Sequence, residues 1–305
     1  MTISSPSPLH DGASTSAPFP YQRAFASNLG WVTHDEQAVL RGKRVAIAGG
    51  GGVGGVYLLT LARLGIGAFH IADFDTFDIP NLNRQVGANL STMGQPKVAV
   101  LAKMARDINS ELDIKIFPAG IHQDNLSEFL DGVDLYIDGL DFFAFDIRQQ
   151  TFALCATLGI PATTVAPLGM GAALLNFMPG KMTFEQYFRW GKLSDLDKAI
   201  RFAVGVAPAG LHLGYLVHPA AVNFAEKRGP STVMGTQLCA GVAATEALKI
   251  LLGRGMVRCA PHGVQFDAYR NKLTHTWRPW GNGNLIQRLA IAIGKRKFAR
   301  TAVRA

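Results

Sequence analysis

Cysteine is scarce in this chain. It has three, Cys155, Cys239 and Cys259, and none belongs to a C-x-x-C pair. An odd, scattered set rules out a disulfide framework, offers no ligand set for a structural zinc, and fits a reducing, cytoplasmic setting. Long apolar runs are missing too: none reaches the roughly 18–20 residues of a membrane-spanning helix. The first residues lack the basic start and apolar core of a secretory signal. Ser and Pro crowd residues 1–20 instead, which reads as a disordered leader. Acidic residues are absent after Ile286, where Arg288, Lys295, Arg296, Lys297, Arg300 and Arg304 supply six of the net +8 charges. This tail, 286–305, has apolar residues at partly helical spacing. It reads either as a solvated basic terminus or as an amphipathic helix. In the second case it would meet an anionic membrane, a nucleic acid or an acidic partner.

What is present suits one large globular domain: 305 residues, 48% hydrophobic and 17% charged. Short β-type runs alternate with helical periodicity. Strands are expected at 44–48, 68–72, 113–117, 134–138 and 161–165. Helices are expected at 54–64, 95–109, 126–130 and 147–158. Repeated βαβ units predict an α/β, Rossmann-like, doubly wound and mainly parallel sheet. Residues 172–177 and a hairpin, 263–269 with 272–277, predict antiparallel C-terminal additions. A helix is expected over 231–252, whose small residues suit close packing on the sheet. The segment 182–229, rich in Pro, Gly and aromatics, reads as irregular. The expected organisation is a core over 21–170 and a C-terminal part of the same domain over 171–285.

The chemistry concentrates between Val45 and Lys97. Gly49, Gly51, Gly52 and Gly54 lie between a strand and a helix, where missing side chains let a backbone approach phosphate. Asp73 ends the next strand, the place of an acid that accepts hydrogen bonds from ribose hydroxyls. Asp75 follows two residues later. Then come Asn81, Asn83, Arg84 and Gln85, and Lys97 opens the next helix. Arg84 offers a planar fork for phosphate oxygens and Lys97 a point charge. A nicotinamide site has no use for these cations, so the set points to a triphosphate. Asp138 and Asp141 end the fourth strand. Asp141 is the candidate Mg²⁺ ligand, and Asp138 supports it or caps the strand.

The order G-x-G-G-x-G, D-x-D, N-x-x-R-Q, G-x-x-K and a later Asp resembles the adenylyltransferase family that activates ubiquitin-like and sulfur-carrier proteins. The residues are Gly49, Gly51, Gly52 and Gly54; Asp73 and Asp75; Asn81, Arg84 and Gln85; Gly94 and Lys97; and Asp141. The likeness runs over 21–166 and resumes in the helix at 231–252. It implies ATP and Mg²⁺ as cofactors. It also implies attack of a protein or peptide carboxylate on the α-phosphate, release of pyrophosphate, and a homodimer. In such a dimer an N-terminal Arg, here Arg23, reaches the partner's ATP.

Departures from the family pattern shape the expectation. The two C-x-x-C pairs of its zinc site are absent, which implies a zinc-less bacterial member. Phe142 stands where an Asn often follows the metal Asp. None of the three cysteines sits in a catalytic setting, so adenylation without a stable enzyme thioester is expected. Residues 182–229, with His212 and His218, replace the usual carrier-binding crossover and are expected to hold specificity. Two other classes stay open on the residues alone: an NAD(P)-dependent oxidoreductase, and a non-catalytic nucleotide-binding partner protein.

Overall fold

The computed structural model describes residues 18–224 and 226–302, with side chains through Arg296. Most of the expected leader and the end of the basic tail lie outside the described residues.

Two short helices, α1 (Tyr21–Ala24) and α2 (His34–Arg41), precede the sheet. The parallel half follows as β1 (Arg44–Ala48), α3 (Gly54–Leu64), β2 (Ala68–Ala72), α4 (Lys97–Ile108), β3 (Asp113–Phe117), α5 (Leu126–Phe129), β4 (Leu135–Asp138), α6 (Phe145–Leu158) and β5 (Ala162–Leu168). The chain then reverses through β6 (Gly171–Phe177), α7 (Phe184–Phe188), α8 (Asp195–Val206), α9 (Val233–Leu252), β7 (His262–Asp267), β8 (Lys272–Trp277) and α10 (Leu285–Ala302). All eight strands form one sheet in the order β3-β2-β1-β4-β5-β6-β7-β8. β1 to β5 pair in parallel and β6 to β8 antiparallel, as the periodicities predict. β1 is buried on both faces, which is why RVAIA carries no polar alternation.

Each face of the sheet has its own apolar layer. Residues of α3, α4 and α9 cover one face around Leu58, Leu101 and Ala243. Residues of α5 to α8 cover the other around Phe129, Phe152, Trp190 and Phe202. The strand order turns at β1 and β4, so the crevice beyond their C-terminal ends is the switch point where doubly wound sheets bind ligands.

The irregular reading of 182–229 is corrected in its first half, where α7 and α8 form. Their signals were local. Thr183 and Gln186 make a capping box on α7, and Ser194 caps α8, with Asp195 and Asp197 in its first turn. The burial of aromatic residues then fixes both helices. Trp190 is fully buried, with its ring 4.9–5.8 Å from those of Phe145, Phe184, Phe188 and Phe202. The basic tail begins as a true helix. α10 docks on α8 through buried Ile291, and Gln287 donates to the Val204 carbonyl at 3.2 Å.

Trp190 ties α7 and α8 to the parallel half through Phe145. Trp190→Ala should cost roughly 3–5 kcal/mol of stability. Trp190→Phe should cost far less, because the indole N–H has no hydrogen-bond partner among the described residues to lose. Urea unfolding followed by circular dichroism measures both; equal losses would refute this packing account.

Candidate functional site

The turn from β1 to α3 is pressed onto the end of β4 by glycine. Gly49 has φ +92°, and a Cβ there would overlap the Gly139 carbonyl. A Cβ on Gly54 would overlap the Gly49 carbonyl. These two glycines are demanded by the fold. Gly51 is not. The atom nearest to where its Cβ would stand is Gln85 Nε2, at 3.8 Å. The space in front of Gly51 is therefore left open by the fold. No side chain caps the N-terminus of α3, so its first backbone N–H groups and the positive end of its dipole face that space.

The expected polar set assembles around this turn. The Asp73 carboxylate accepts the Gly50 N–H at 2.6 Å and the Asp75 N–H at 2.7 Å, which fixes it at the C-terminal end of β2. Lys97 is buried in the first turn of α4, and its Nζ lies 3.0 Å from Asp75 Oδ2. A cation at a helix N-terminus opposes the macrodipole, so the position gains nothing for α4 itself. Arg84 is half-buried beside Gly52: its Nε is 3.7 Å from the position of a Gly52 Cβ. It donates to the Pro80 carbonyl and to Asn83 Oδ1. Asn81 uses its amide oxygen to accept the Asp78 N–H, which leaves its NH₂ group as the donor. Gln85 is buried, and its Oε1 has no partner among the described residues.

At the end of β4 the two acids divide their roles. Asp138 is buried; it accepts from Arg148 Nε at 2.8 Å, from Thr164 at 3.0 Å and from the Leu140 N–H. Arg148 also donates to the carbonyls of Leu140, Asp141 and Phe142. It thereby holds the whole loop that presents Asp141. Asp141 is exposed, with Oδ1 accepting the Phe143 N–H. Sequence reasoning missed Arg148. Its signal was a lone cation on the apolar face of α6, in register with Phe145, Phe152 and Cys155. Beside this loop, Phe142 stacks on Phe224 at 5.7 Å.

The N-terminal end of α9 closes the far side. Thr236 Cγ2 stands 3.2 Å from the Gly52 Cβ position, and the Ser231 carbonyl accepts from Asn83 at 3.3 Å. Thr232 caps α9 and donates to the Gly169 carbonyl. Not every expected residue gathers here. Arg23 is exposed on α1, and the neighbouring Tyr21 hydroxyl donates to the Gly65 carbonyl beyond the C-terminal end of α3. That is about 16 Å along α3 from the glycine turn. His218 is exposed. His212 lies under the β5–β6 turn, where burial lowers its basicity and Asp267 opposes that. Cys155 and Cys239 are buried, and burial pushes both thiols well above the usual range; Cys259 is part-exposed.

Known proteins resemble this chain in sequence and in fold. The model of the ThiF family matches residues 21–282. A tRNA threonylcarbamoyladenosine dehydratase of Bacillus subtilis is 38% identical over 135 residues, 44% of this chain and 51% of that protein. The molybdopterin-synthase adenylyltransferase of Salmonella typhimurium is 32% identical over 141 residues, 46% of this chain and 56% of that protein. The chain thus spans about half the length of the curated relatives it matches. Among solved structures, E. coli MccB with ATP superposes with a TM-score of 0.63 at 18% identity, covering 84% of this chain and 70% of MccB. At that identity the likeness speaks for the fold.

The contrast between the glycines is testable. Gly49→Ala should lower the melting temperature, because it forces a side chain into a left-handed backbone against Gly139. Gly51→Val should leave the melting temperature within a few degrees and abolish the shift that a nucleoside triphosphate produces. Thermal melts with and without nucleotide decide; a nucleotide shift retained by Gly51→Val would refute the open-space reading.

Proposed function

The chain belongs to the ThiF family, and from that premise we propose that it is an ATP-dependent adenylyltransferase. It would activate a carboxylate, the C-terminus of a protein or peptide, as an acyl-adenylate with release of pyrophosphate. The observation that carries the reading is the uncapped N-terminus of α3, with Asp73 bonded to Gly50 and Arg84 beside Gly52, and with Lys97 joined to Asp75 next to Asp73. Relatives named adenylyltransferases, and a structural neighbour solved with ATP, support it.

In this reading Asp73 holds the ribose. The N–H groups after Gly51 and Gly52 hold phosphate oxygens. Arg84 and Lys97 balance charge on the phosphates as the carboxylate oxygen attacks the α-phosphorus and the bond to pyrophosphate breaks. Lys97 exchanges its Asp75 partner for phosphate or bridges the two. Asn81 and Gln85 complete the donor set. Magnesium fits the donors present, since it binds through one or two carboxylates plus substrate phosphates and the free oxygen of Asp141 is such a ligand. There it would neutralise phosphate charge. Arg148 positions Asp141 through the loop and does not touch substrate.

Arg23 is too far from its own chain's turn to serve it, which favours a homodimer in which it reaches the partner's nucleotide. The buried cysteines favour an adenylate passed on without an enzyme thioester. Among the described residues no helix is long and apolar enough to cross a membrane, which is compatible with a cytoplasmic enzyme. The dehydratase relatives supply a second substrate reading, since threonylcarbamoyladenosine itself carries a carboxylate.

ATP–pyrophosphate exchange tests the mechanism. Arg84→Ala and Lys97→Ala should each lower it by roughly a hundredfold or more while the circular dichroism spectrum is kept. Asp141→Asn should raise the Mg²⁺ concentration needed. Exchange retained in both cation variants would sink the proposal. Stimulation of turnover by tRNA rather than by peptides would select the second substrate.

A further inference from the structure

The first half of α10 has two opposed faces, and the fold uses only one. Gln287 and Ile291 are buried against α8, and a Cβ on Gly294 would stand 3.0 Å from Ile200. At about 100° per residue the opposite arc gathers Leu285, Ile286, Leu289 and Ile293 within about a quarter of the circumference. These four aliphatic side chains are 77%, 59%, 64% and 57% exposed. Trp280, just ahead of the helix, is 69% exposed. Arg288 borders the arc about 60° from Leu285, and Arg296 lies in line with the arc one turn beyond Ile293. Lys295 is committed to Asp197 at 2.7 Å. Arg288 and Arg296 have no ion pair among the described residues, and the sequence continues with Lys297, Arg300 and Arg304 and no acid.

We propose that α10 is a docking surface for an anionic lipid bilayer. In this mode the helix lies in the headgroup plane, with Leu285, Ile286, Leu289 and Ile293 immersed, and Trp280 beside them at the interface. The cations contact lipid phosphates. An exposed aliphatic arc bordered by Arg288 and continued by Arg296, with an exposed Trp ahead of it, is a pattern that an anionic bilayer accommodates, the Arg side chains reaching back to the phosphates. The competing occupants fit it less well. Nucleic acid would satisfy the cations but give the four aliphatic side chains no apolar partner. A second copy of this chain would bury the aliphatic side chains but leave the free cations of both copies without an anionic partner. The catalytic turn lies at the C-terminal ends of β1 and β4, whereas α10 packs on α8. Docking by α10 therefore involves none of the nucleotide-binding residues.

The test is co-sedimentation of the full chain with vesicles of phosphatidylcholine alone and with equimolar phosphatidylcholine and phosphatidylglycerol. The chain should bind the anionic vesicles, release at high salt, and ignore the neutral ones. Leu289→Ser with Ile293→Ser should weaken that binding roughly tenfold or more. Because both residues are exposed, the melting temperature and pyrophosphate exchange in solution should be unchanged. Failure to bind anionic vesicles overturns the proposal. So does equal binding by the double variant. Loss of a dimer in the double variant without vesicle binding would assign the arc to a second copy, and tRNA binding that is lost in the variant would assign it to RNA. Either result replaces the lipid.

Discussion

The site depends on one close backbone approach. Gly49, Gly54 and Gly139 meet at distances that no side chain would allow, and this contact drives the start of α3 against the end of β4. Everything else is referred to that point. The uncapped N–H groups of α3 face outward because the turn is held down. Asp73 fixes the turn from the β2 side through the Gly50 N–H. From the β4 side the Gly139 N–H donates to the Ala48 carbonyl, while Asp138, gripped by Arg148, holds the loop that follows. Without the glycine contact, the helix dipole, Asp73 and Asp141 would have no common geometry.

Electrostatics then distinguishes structural charge from functional charge. Arg148 and Asp138 are buried, mutually paired and saturated with further hydrogen bonds, as an ion pair must be to survive in the interior. Lys97 and Arg84 are different. Lys97 sits at the wrong end of a helix for stability, and its one ion-pair partner is a half-exposed carboxylate. Arg84 has carbonyl and amide partners and no carboxylate within salt-bridge distance among the described residues. Neither is locked into a buried ion pair as Arg148 is, which is what the proposed role at phosphate requires.

Much of this was legible beforehand, for a physical reason. Strands buried on both faces, such as β1, must be continuous apolar runs. Glycines at a strand–helix turn, an acid at the next strand end and two cations after it follow the chain in the order in which the sheet presents them. What stayed hidden was set by tertiary packing. α7 is too short to show a period, and α8, whose apolar face was readable, was obscured by the Pro, Gly and aromatic residues around it, although the Thr183–Gln186 and Ser194 caps marked where both begin. Arg148 was missed because a cation on an apolar helix face is intelligible only when Asp138 is seen opposite it. The closure of the site by α9 joins Thr236 to Gly52 across a long sequence separation, and no local pattern announces it.

The central claim is that the gap before Gly51 is shaped for a triphosphate rather than a dinucleotide. Isothermal titration of the full chain with ATP plus Mg²⁺, and separately with NADH, tests it most directly. The account predicts saturable ATP binding that weakens when Mg²⁺ is withheld, and no binding of NADH. Tight NADH binding with indifference to ATP would contradict it, and would leave Arg84 and Lys97 without the role assigned to them.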